Sequence, residues 1–117
     1  MVPVPTTAGS RVDINHLIRP GVWGGGGGSG VARIVTTIRR GPAGTTVATR
    51  TDDVNFVSSN NAIKTLNNTS TADFRGNYVY AGIERDGTAP EDTLAVSCTV
   101  MAVEIITYEG LISARLS

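Results

Sequence analysis

The sequence predicts an all-β fold: a small antiparallel β-sandwich or barrel with an extended N-terminal arm. Three observations predict it. Charged residues make up only 17% of the 117, against roughly 25% in ordinary globular chains. Their place is taken by Thr, Ser, Asn, Gly and Val, which suit strands and turns better than helices. Short runs of alternating apolar and polar residues recur between Gly-, Pro- and Asn-rich breaks, at the spacing of a sandwich. A chain of this length fits one domain and buries one sizeable core.

Residues 1–30 read as an arm or linker, and residues 31–117 as the β-domain. Met1-Val-Pro-Val-Pro opens with prolines that exclude a helix or a central strand. Arg11 to Arg19 alternates Val12, Ile14 and His16 against Arg11, Asp13 and Asn15, as one short strand would. Pro20 ends it. Trp23 then precedes Gly24–Gly28, Ser29 and Gly30, a run with the composition of a flexible coil. Such a run fits either an artificial linker or the natural arm of an assembly protein.

From Val31 to Arg40 the composition is that of a strand, with Ala32, Ile34, Thr36 and Ile38 on one face. Gly41-Pro42-Ala43-Gly44 reads as a turn leading into a returning strand, Thr45–Thr51. Another short strand, Val54–Val57, follows Asp52-Asp53. Ser58–Thr71 reads as a loop, in which Ala62–Leu66 fits a helical turn or a strand fragment. Phe74–Arg85 is a strand, and Asp86-Gly87 through Asp92 a loop. Leu94–Tyr108 is the longest β segment. Leu94, Val96, Cys98 and Val100 set one apolar face, and then Met101, Val103 and Ile105 take over. That change of phase predicts a bulge near Val100–Ala102. Met101–Ile106 reads as covered on both faces, and Leu111–Ser117 as a short apolar tail.

The chemistry available is sparse. A single Cys98 and a single His16 exclude an internal disulfide and a Cys/His zinc cluster. Cys98, at an inward strand position, reads as a buried and inert thiol. Asp52-Asp53 and Glu91-Asp92 are adjacent acids in loops, without calcium-loop spacing. The glycine run lacks the lysine and Ser/Thr of a phosphate loop. Arg33, Arg39 and Arg40 lack interleaved aromatics for stacking on bases. The expectation is therefore a protein that is no enzyme and holds no cofactor or metal.

Net charge is zero, which gives no chain-wide footprint for nucleic acid and little repulsion between copies. Lys64 is the only lysine; every other cation is arginine, the side chain of bidentate pairing. No apolar run approaches the ~20 residues of a bilayer span, and no N-terminal stretch has the pattern of a signal peptide. The expected partners are protein: copies of the chain itself, as a homo-oligomer, or a capsid lattice, and neither nucleic acid nor membrane. Trp23 on the arm is the leading candidate contact, with Leu17, Ile18, Tyr78 and Tyr80 beside it. The Thr/Asn-rich strands of Val31–Thr51 and Phe74–Tyr108 behind an extended arm resemble, in composition and layout, small β-rich structural proteins of tailed-phage virions such as capsid decoration (cement) proteins. That resemblance implies a virion component, assembled in the host cytoplasm and present in many copies. The different class to weigh against it is a β-sandwich binding module for carbohydrate or peptide, using Tyr78 and Tyr80.

Overall fold

In a computed structural model the described residues are 2–5, 11–21, 29–56, 63–72, 74 and 78–108. Among them run seven strands: β1 (Val2–Pro5), β2 (Arg11–Pro20), β3 (Gly30–Arg40), β4 (Thr45–Phe56), β5 (Lys64–Ser70), β6 (Tyr78–Arg85) and β7 (Cys98–Tyr108). A four-stranded antiparallel sheet has the order β1-β6-β3-β4, and a three-stranded one the order β5-β2-β7. Their inner faces pack together as a β-sandwich.

The segment before the glycine run is no appendage. β2 is the central strand of the smaller sheet, and its Val12, Ile14 and Ile18 are buried in the core. The alternation read from the sequence therefore marks a core strand, and β2 and β3 lie in opposite sheets. The first residue of β3 is Gly30, at φ +132°, where an added Cβ would lie 3.0 Å from the Leu94 Cα. This glycine belongs to the fold and not to a linker. The proline-bearing β1 lies at a sheet edge, as its missing donors require.

Three other boundaries differ from the sequence reading. β4 runs unbroken through Asp52 and Asp53, because each acid is held by an arginine side chain and not by a turn (Arg50 and Arg33). Lys64–Ser70 is a strand in place of the expected loop. Leu66, Asn68 and Ser70 all point inward, and two of the three are polar, so the apolar alternation is masked. β7 starts at Cys98 and not at Leu94, although Leu94 is buried; of the expected start of β6 at Phe74, residues 75–77 lie outside the described residues.

The expected bulge is present. Leu17 pairs with Ala102 and Ile18 with Val100, so Met101 is the extra residue of β7.

Two apolar clusters fill the sandwich. One contains Val12, Ile14, Ile38, Phe74 and Val79; the other contains Ile18, Ala32, Ile34, Val54, Phe56 and Leu66. Between them along β2 and β3 lie His16 and Thr36, both buried, and the Asn68 side-chain amide donates to the Thr36 carbonyl at 3.1 Å. The His16 Nδ1 is buried without a hydrogen-bond partner among the described residues, and burial lowers the histidine pKa. The unfolded chain therefore takes up the proton first. The stability tied to neutral His16 is present above about pH 6.5 and is lost as pH falls below it. We expect the urea midpoint to drop between about pH 7.5 and about pH 5, and a His16→Leu chain to lose that pH dependence.

Candidate interaction surface

The outer face of the smaller sheet is a polar rank crossing all three strands. The Asn67 side-chain amide donates to the Asn15 Oδ1 at 2.9 Å, and that of Asn15 to the Glu104 Oε1 at 2.9 Å. These residues stand opposite one another in register. Beside them Asp13 accepts from the Thr69 hydroxyl at 2.7 Å and from the Arg11 guanidinium. The Asn- and Thr-rich composition thus serves as a cross-strand ladder.

On the larger sheet the arginines engage the acids. Arg33 grips Asp53 bidentately at 2.8 and 3.0 Å and reaches Glu91 at 3.3 Å. Arg85 donates to both oxygens of Asp92 at 2.7 and 2.5 Å and to the carbonyls of Val96 and Leu94. These bonds from Arg85 hold the Asp92 carboxyl well below the usual range, at about 2. Each adjacent acid pair is therefore tied to arginine. Among the described residues no group of three or more His, Cys, Asp or Glu could hold a metal ion. Burial pushes the Cys98 thiol up, away from the reactive thiolate.

The two long sides of the sandwich differ. Among the described residues β7 pairs only with β2, and its other edge is unpaired. Val100, Val103, Ile105 and Thr107 stand opposite Ile18, His16, Ile14 and Val12, so they belong to the inner face. Even so, Val100 is 43% and Val103 41% exposed. The expected covering of Met101–Ile106 on both faces is thus not supplied by the described residues of the chain. Beside this edge a cleft between the sheets is lined by Ile34, Ile83, Glu84, Arg85, Cys98 and Val100.

The candidate contacts named from the sequence do not converge. Trp23 lies outside the described residues. Ile18 is a core residue, 1% exposed, and so cannot serve as a surface contact. Leu17 is partly buried between Thr65 and Ala102 on the polar face. Tyr78 and Tyr80 share the outer face of β6, with Tyr78 46% exposed. Gly41 sits against both, and a Cβ there would lie 3.0 Å from each. The uncovered β7 edge is invisible in the sequence, because only the strand order β5-β2-β7 puts these residues at an edge.

These features define a two-sheet β-sandwich whose two adjacent acid pairs, Asp52-Asp53 and Glu91-Asp92, are held by arginines and whose β7 leaves inner-face apolar residues exposed. Among the described residues, no helix is long and apolar enough to cross a membrane. No protein-family model, curated protein or solved structure matches the chain.

Proposed function

We propose that this chain is a non-enzymatic structural subunit of a large assembly, a virion head or tail component of the capsid-decoration type. The observation that carries the reading is the eleven-residue β7, with Val100 and Val103 facing inward and left exposed. Natural sheets guard such edges with lysine, proline or inward-pointing charge. β7 has a bulge and one acid, Glu104, which faces outward. A strand added to this edge gains main-chain hydrogen bonds and buries apolar surface together. The zero net charge adds little repulsion between copies. The virion context rests on the resemblance in composition and layout.

The test is the solution mass of the chain by light scattering across a range of concentrations. A defined oligomer is expected. A strict monomer at every concentration would overturn self-assembly and favour the second reading, a carbohydrate- or peptide-binding module. The exposed Tyr78 beside Tyr80 is the observation that favours that alternative.

A further inference from the structure

We infer that the outer face of the larger sheet carries a binding site for a short zwitterionic peptide, with the carboxylate on Arg39 and the ammonium toward Glu84. The inference goes beyond the subunit reading and uses the sheet that does not contain β7.

The burial of Ala32, Ile34, Thr36 and Ile38 turns Arg33, Val35, Thr37 and Arg39 of β3 outward. Opposite them on β6, Glu84 stands against Val35, Gly82 against Thr37 and Tyr80 against Arg39. Gly82 adds no side chain to this face, so the sheet is bare between Glu84 and Tyr80. The result is a depression of about 230 Å³ lined by Val35, Arg39, Gly82, Ile83 and Glu84.

Two opposite charges border this depression. Arg11, Arg33, Arg50 and Arg85 each hold a carboxylate. Arg39 holds none among the described residues, and its Nε is buried without a hydrogen-bond partner. A buried donor of this kind is destabilising until an acceptor is supplied. The guanidinium fork matches a planar carboxylate in two-pronged fashion, and a rotation of the side chain is enough to present Nε–H to one.

Glu84 selects the other end of the ligand. It is exposed and, like Arg39, in no ion pair among the described residues. A carboxylate here repels a polyanion and favours a cation on the bound molecule. Val35, the partner of Glu84, and Arg39 are separated by four steps of β3, which puts the Arg39 and Glu84 Cα atoms about 14 Å apart. Three extended peptide residues span about 10 Å. The two side chains, both lining the depression, cover the remainder.

The test is an NMR titration of the full chain with triglycine, read at the Arg39 Nε–Hε signal and at the amides of Val35, Thr37, Gly82 and Glu84. Saturable shifts confined to these groups are expected, with a dissociation constant in the millimolar range. Triglycine amide, which lacks the carboxylate, is expected to bind at least about tenfold more weakly. Arg39→Gln should weaken triglycine by a similar factor. Glu84→Gln should reduce triglycine to the affinity of acetyl-triglycine, which lacks the ammonium, and leave acetyl-triglycine unchanged. No shift with triglycine at tens of millimolar would overturn the inference. So would equal binding of triglycine and its amide, a comparison that needs only the unaltered chain. Inorganic phosphate moving the Arg39 signal as strongly as triglycine would overturn the zwitterion and leave a simple anion site.

Discussion

Replacing Ile14 by alanine is expected to cost about 3.5 kcal/mol of unfolding free energy, although the residue lies well before the glycine run. Ile14 is fully buried and packs in the cluster containing Val12, Ile38, Phe74 and Val79. Its removal leaves a cavity walled by both sheets, and walls of this kind relax only in part. A loss of this size is a large share of the roughly 5–15 kcal/mol that holds a domain together. Urea unfolding measures it directly. Were Arg11–Pro20 an appended arm, the same change would stay within about 0.5 kcal/mol, and that result would refute the placement of β2 at the centre of its sheet.

The second large effect is expected at Arg85. Arg85→Met should cost about 3 kcal/mol near neutral pH, because it strands a charge and two carbonyls together. The Asp92 side chain is only 3% exposed. Besides Arg85, it accepts from the Arg33 backbone amide at 3.0 Å. The guanidinium also donates to the Leu94 and Val96 carbonyls, so one side chain fixes the irregular approach to β7. The pH dependence follows from the depressed carboxyl. In the unaltered chain the stability tied to ionised Asp92 is present above the ordinary carboxylate range near pH 4. It is lost as pH falls toward about 2. Without Arg85 that carboxyl loses its main support, so the gap between the two chains should narrow as pH drops through this window. Arg85→Met combined with Asp92→Leu should recover part of the loss. A gap that stays constant from neutral pH down to about pH 3 would contradict the role given to the pair.

Much of the fold was legible in the sequence, and the exceptions share a physical cause. The β3 face of Ala32, Ile34, Thr36 and Ile38 reads correctly because period-2 alternation survives where one side is core. The bulge at Met101 reads correctly because an extra residue must shift the phase of everything after it. β5 reads as a loop in sequence because Asn68 and Ser70 point inward, and a buried amide that finds a carbonyl looks, in sequence, like a loop asparagine. β4 reads as two strands split at Asp52-Asp53 because nothing local reveals that Arg33 and Arg50 will neutralise them. The glycine run sets Arg11–Pro20 apart in composition, yet β2 is the central strand of its sheet, because composition does not report what a flanking strand pairs with. The candidate surface was the least legible part. An exposed Val103 and a buried Ile14 are both apolar members of alternating strands, and only the strand order β5-β2-β7 puts one at the edge and the other at the centre.

The central claim is that the chain associates through the edge of β7 that no other described strand pairs. Amide hydrogen exchange of the full chain, read in dilute and in concentrated solution, tests it most directly. The account predicts that β7 amides not bonded to β2 gain protection as concentration rises, while those of β3, already paired on both sides, stay as they were. A rise in solution mass with unchanged exchange along β7 would contradict it.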